Sequence, residues 1–162
     1  MEKLNKYINN PKYVFHGSNQ RFDIVMPHPT KRIDIDGKIT YEGTSVHATP
    51  ELYIALSYTY DKSKRPYYFT GISLFELDNS IYVSGQKSLE YSLEKLWPDN
   101  YFGYIYVLDA QKFFWKNGLG PLEVISYEPV KPIKIFKIKN ITKLLKKLGT
   151  KIYYKQSPYA IE

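Results

Sequence analysis

The chain is 162 residues long, carries a formal net charge of +7 with a pI near 9.3, and contains 17 tyrosines and no cysteine. That length is enough for one domain with an apolar core of its own, and the lack of thiols excludes disulfide scaffolds, zinc–thiolate sites, iron–sulfur clusters and a cysteine nucleophile. The basic balance favours an anionic partner, whether a nucleotide, a nucleic acid or an acidic surface.

Residues 1–11 read as a polar lead-in holding no more than a short helix. They contain no apolar segment of signal-peptide length, and no later stretch approaches the roughly 20 apolar residues of a membrane span, so a cytoplasmic protein is expected. Strand character starts at 12–16, where Tyr13-Val14-Phe15 runs into His16-Gly17-Ser18 and the glycine breaks the run. Residues 19–40 read as a long irregular loop with Pro27, Pro29, Gly37 and few apolar points; loops of this length are uncommon in compact domains and are often functional. The loop carries Arg21, Lys31, Arg32 and Lys38, cations able to reach a phosphate.

A second strand is expected over 40–48. Thr49-Pro50-Glu51 then combines a capping hydroxyl, a proline suited to the first helical position and an acid at the positive end of the dipole. Leu52, Ala55, Leu56 and Thr59 mark one helical face, with Ile54 and Tyr58 beside it. This spacing puts Tyr58 one or two turns into the helix.

Strands are predicted at 67–77 and 80–84, with a turn at Asp78-Asn79, and a short helix over 88–97 stops at Pro98. Residues 101–108 form a further strand. Asp109 caps a turn or short helix reaching residue 115, and Gly118 and Gly120 mark a loop before the strand at 122–127. In the strand at 132–139, Ile133, Ile135 and Ile138 interleave with Lys134, Lys137 and Lys139, which predicts one face in the core and one in water. Asn140 or Thr142 caps a last helix through 148, with Leu144, Leu145 and Leu148 as its apolar stripe and Gly149 as its end. Residues 151–162 are either a docked tail or a frayed one. Many strands, few short helices and no regular β-α alternation make an α+β domain dominated by β structure.

Gly-rich phosphate loops, zinc-type histidine pairs, nucleophile elbows and paired-carboxylate motifs are all missing. Three segments carry what chemistry remains: His16-Gly17-Ser18 ending a strand, Ser45-Val46-His47-Ala48-Thr49 feeding a helix that bears Tyr58, and Leu122-Glu123-Val124-Ile125-Ser126-Tyr127 on a late strand. In that order they resemble the ADP-ribosyltransferase superfamily, in its His-Tyr-Glu branch of diphtheria-type toxins and poly(ADP-ribose) polymerases. The resemblance spans residues 13–139.

It implies a β-rich ADP-ribosyltransferase-like fold over 1–162 as a single domain, in which two small antiparallel or mixed sheets form a cleft and residues 1–11 and 151–162 are peripheral. It also implies NAD as co-substrate, cleavage of the nicotinamide–ribose bond, and transfer of ADP-ribose to a protein or nucleic-acid acceptor. Glu123 would stabilise the positive charge that builds on the ribose in the transition state. His16 would hydrogen-bond the adenosine ribose, and the Gly17 backbone would pair with the nicotinamide carboxamide, where a missing side chain permits close approach. Tyr58 would stack on the nicotinamide ring, with Tyr53 as its rival on the same helix. Ser18 and Ser57 would hydrogen-bond nearby, and Arg21 and Arg32 would hold the pyrophosphate.

The chain departs from the family pattern in two places. Val46 stands where an aromatic residue is common, and Pro121 stands two residues before Glu123, where arginine-modifying toxins carry Glu or Gln, so the acceptor is left open. His47 reads as an exposed or core histidine. The alternative is a noncatalytic basic module of the same fold, binding nucleic acid or a protein partner through the lysine-rich strand at 132–139 and the last helix.

Overall fold

The computed structural model describes residues 2–34, 36–61, 68–71, 79–85, 97–98 and 101–156. Nine strands and three short α-helices occur among them: α1 (Glu2–Asn5), β1 (Tyr13–Ser18), β2 (His28–Ile33), β3 (Ile39–Ala48), α2 (Leu52–Ser57), β4 (Tyr68–Gly71), β5 (Ser80–Gly85), β6 (Gly103–Asp109), β7 (Val124–Ser126), β8 (Lys134–Ile138), α3 (Ile141–Lys147) and β9 (Lys151–Gln156). They make three three-stranded sheets, in the orders β1-β6-β8, β2-β3-β7 and β4-β5-β9, where the sequence leads to an expectation of two. The α+β, β-rich class is as the element pattern predicts, and among the described residues no helix is long and apolar enough to cross a membrane.

Two compact units are distinguished. The first comprises Met1–His16, Arg21–Leu52 and Ile105–Phe136; the second comprises Gly17–Gln20, Tyr53–Tyr104 and Lys137–Glu162. In the first, β2 runs antiparallel to β3 with Arg32 opposite Tyr41 and His28 opposite Ser45, and β7 runs antiparallel to the other edge of β3 with Ile125 opposite His47. The loop expected over 19–40 therefore contains a strand. Its pattern gives little sign of one, because Pro29 interrupts it and His28, Pro29, Lys31 and Ile33 are exposed, as suits a strand paired on one side only. Backbone pairs Val25–Val130 and Phe114–Ile125 tie the flanking segments to this unit. Its buried residues include Phe15, Val25, Val46, the run Ile105 to Leu108, Ile125 and Val130; four consecutive buried residues in β6 mark a strand covered on both faces.

In the second unit, α3 is capped by Asn140, whose side chain accepts from the Lys143 amide, and Ile141, Leu144 and Leu145 form its buried stripe. Gly149, at φ 70°, follows the helix. The chain then forms β9, parallel to β5 with Ser80 opposite Lys151, so residues 151–156 are a docked strand. A parallel pair needs a long crossover, which is why this pairing is not legible locally. The Asn79 amide nitrogen donates to the Leu148 carbonyl at 2.9 Å, and its side-chain oxygen accepts from Thr150 at 2.8 Å.

Two expectations are adjusted. Tyr58 lies just beyond α2, its amide donating to the Ala55 carbonyl at 3.2 Å, and every residue of α2 is buried. Ile133, expected in the core, is 50% exposed, and Ile135 and Ile138 are half-buried. The helix predicted over 88–97 and most of the strand predicted over 67–77 lie outside the described residues.

Candidate active site around Glu123

One face of the β2-β3-β7 sheet gathers polar side chains that sequence order keeps apart. Side chains alternate along a strand with a period of two, so Tyr41, Gly43, Ser45 and His47 of β3 share a face. Residues directly opposite in an antiparallel pair also share it, which adds His28 and Arg32 from β2 and Ile125 from β7. Glu123, two residues before Ile125 and at the head of β7, extends the same row. Its amide donates to the Gly120 carbonyl at 3.1 Å, closing the turn that delivers it.

The Glu123 side chain is 18% exposed. Arg32 Nη2 donates to its Oε2 at 2.6 Å, and His47 Nδ1 lies 3.4 Å from the same oxygen. Burial by itself raises the carboxyl's pKa; the neighbouring His47 and then Arg32 overcome this and lower it from 4.5 to about 2. Of the two, Arg32 is the direct donor. The Nδ1 of His47 forms no hydrogen bond of good geometry, so its influence at 3.4 Å is electrostatic.

Behind His47 runs a buried polar chain. Ser45 Oγ lies 3.1 Å from His47 Nε2, and the Tyr41 hydroxyl lies 2.7 Å from Ser45 Oγ. Gly43 makes this possible, since a Cβ there would sit 2.7 Å from the Tyr41 hydroxyl. Two hydroxyls and one imidazole leave two polarities for the chain in its neutral state. With Tyr41 donating to Ser45 and Ser45 donating to Nε2, the ring proton sits on Nδ1 and faces the carboxylate. The opposite polarity points the Nδ1 lone pair at an anion, so electrostatics select the first. His47, which the sequence suggests is a bystander, therefore orients the carboxylate. The period-two row of Tyr41, Ser45 and His47 is the signal that could have found it.

His16 is half-buried in β1, brought beside the end of β3 by the reciprocal backbone pair of Phe15 and Thr49, at 2.7 and 2.9 Å. Its Nδ1 lies 2.7 Å from the His47 carbonyl oxygen. A carbonyl can only accept, so Nδ1 carries the proton and Nε2 is the acceptor nitrogen of the neutral ring. The ring meets Tyr106 edge-on at 5.8 Å, and Tyr106 stacks on Phe22 at 4.6 Å. His47 is thus bonded through its backbone to His16 and is in contact through its side chain with Glu123.

The remaining sequence-predicted residues fall as follows. Arg21, in the first unit, pairs with Asp23 at 2.9 Å on the surface. Gly17, Ser18, Ser57 and Tyr58 belong to the second unit. A Cβ on Gly17 would stand 1.8 Å from the Ala55 carbonyl oxygen, so the close approach its bare backbone permits here is that of α2. Ser18 Oγ accepts from the Gln20 amide at 3.1 Å. Ser57, fully buried, donates its hydroxyl to the Ile54 carbonyl at 2.6 Å; Tyr58 is half-buried and Tyr53 buried.

The described fold and site define the chain as a β-rich α+β protein bearing a deprotonated, partly buried carboxylate braced by an arginine and a histidine. Compared with protein-family models, with curated proteins and with solved structures, the chain has no match.

Proposed function

We propose that this chain is an NAD-dependent ADP-ribosyltransferase of the His-Tyr-Glu kind, with Glu123 as its catalytic residue. The observation that carries the reading is the state of Glu123: a carboxylate only 18% exposed yet held deprotonated, its pKa lowered to about 2, at the head of a late strand. That is what the chemistry requires. As the nicotinamide–ribose bond lengthens, nicotinamide leaves with the bonding electron pair and positive charge develops on the ribose. A fixed anion in a poorly solvated site stabilises that charge far more than water does. A nucleophilic acceptor then bonds to the exposed carbon and loses its proton.

His16 supports the reading from the other side. Its Nδ1–H is committed to the His47 carbonyl, which suits Nε2 for accepting a ribose hydroxyl. Arg32, expected on the pyrophosphate, is assigned instead to holding Glu123, with His47 as the second positioning residue. The α+β class and the order of the three segments are compatible with the ADP-ribosyltransferase-like fold that the resemblance implies. The test is nicotinamide release from NAD by the purified chain and by Glu123→Ala. Release by the wild type that falls at least about 100-fold in the variant supports the assignment; undiminished release in the variant removes it.

A further inference from the structure

The positive charge of this protein is not spread over it. Of 23 lysines and arginines, seven fall in residues 137–156, a stretch with no acidic residue, so the rest of the chain carries 16 cationic and 16 anionic side chains. The whole net charge of +7 therefore resides in 20 consecutive residues of the second unit. Lys137 at the end of β8, Lys139, then Lys143, Lys146 and Lys147 on α3, and Lys151 opening β9 are all exposed. None of these six forms an ion pair with a described residue. Placing like charges together is unfavourable in the free protein, and a polyanion relieves it.

Two features identify the polyanion. Among the described residues of the same unit, two aromatic side chains are exposed: Tyr153, two residues beyond Lys151, at 42%, and Phe102 at 41%, with the Lys137 ammonium 3.8 Å from the Phe102 ring centre. Lysines beside exposed aromatic side chains suit a strand of phosphates carrying unstacked bases. An anionic membrane fits less well, because the apolar side chains of α3, namely Ile141, Leu144 and Leu145, are buried and leave the helix no apolar face to insert. We propose that the β8–α3–β9 lysine face binds a single-stranded nucleic acid, with its lysines on the phosphates and Phe102 and Tyr153 on the bases. This goes beyond the NAD reading and does not depend on it, since binding is measured with no NAD present.

The experiment follows the anisotropy of a fluorescently labelled oligothymidylate of about 20 nucleotides, titrated with the full chain at several salt concentrations. Three proteins are compared: the wild type, the triple variant Lys143→Gln, Lys146→Gln, Lys147→Gln, and a control triple of exposed lysines in the first unit, Lys12→Gln, Lys112→Gln, Lys116→Gln. Both triples have the same net charge. The proposal expects the α3 triple to weaken binding at least about tenfold and to reduce the slope of log affinity against log salt by about 2, while the control triple binds nearly as the wild type does. A second variant, Lys139→Gln with Lys151→Gln, probes the face without touching the helix and is expected to weaken binding as well. No binding at low salt, equal weakening by both triples, tighter binding of a duplex of the same length, or α3-dependent capture of anionic lipid vesicles in place of the oligonucleotide would each overturn it.

Discussion

Replacing Glu123 by glutamine keeps the side chain's shape and removes its charge, and the cost of doing so should depend on pH in a defined way. In the folded chain the carboxyl titrates near 2 against an ordinary 4.5, because His47 and Arg32 outweigh the effect of burial. The folded pKa lies below the unfolded one, so the stabilisation is complete above about pH 4.5 and fades as pH falls towards 2. The full difference corresponds to about 3 kcal/mol. Arg32 is 39% exposed, which lets solvent screen its share and re-solvate it in the variant, so the expected loss at pH 7 is about 1–2 kcal/mol. Urea denaturation followed by far-UV circular dichroism at pH 7, 5, 4 and 3 measures it. The gap between wild type and Glu123→Gln should be constant from pH 7 to 5, narrow at 4 and be smaller still at 3. A gap that stays constant down to pH 3, or a variant as stable as the wild type at pH 7, refutes the bracing of Glu123 described above.

Other expectations are simpler to read. Gly17→Ala should destabilise the second unit by about 2 kcal/mol or more, since the added carbon meets the Ala55 carbonyl oxygen at 1.8 Å and backbone must move to admit it; thermal denaturation checks this. Thr59→Val should cost about 1–3 kcal/mol, because the Trp97 indole, itself buried, donates to the Thr59 hydroxyl at 3.1 Å and would be left unpaired. Its tryptophan emission should shift along with its denaturation midpoint. His47→Phe should raise the Glu123 pKa towards its ordinary value, so the acid limb of NAD turnover should move from about 2 towards 4.5 in a pH–rate profile; a limb that stays in place would deny His47 a positioning role.

Much of this chain could be read from its sequence where local chemistry decides the structure. Asp109 caps the turn that follows β6, its side chain accepting from the Gln111 amide, and Asn140 caps α3, each because a short polar side chain meets unsatisfied amides. β1, β3 and β6 follow from their dense β-branched and aromatic runs. What could not be read depends on partners distant in sequence. β2 is a strand only because β3 offers it an edge, and β9 only because β5 does, so neither carries a strong pattern of its own. The site divides along the same line. Glu123 and His16 stand out by residue type beside strand ends, whereas the pairing of Arg32 with Glu123 depends on a strand register that no local stretch encodes.

The most direct test of the central claim is nicotinamide release measured against NAD concentration for the wild type, His16→Ala and Glu123→Gln. The account predicts a split: Glu123→Gln loses kcat by at least about 100-fold with KM little changed, because its charge acts in the transition state. His16→Ala should mainly raise KM, because the role proposed for its ring is to hold the adenosine ribose. Equal kcat in the wild type and Glu123→Gln, or no release from NAD by the wild type at any concentration, would contradict it.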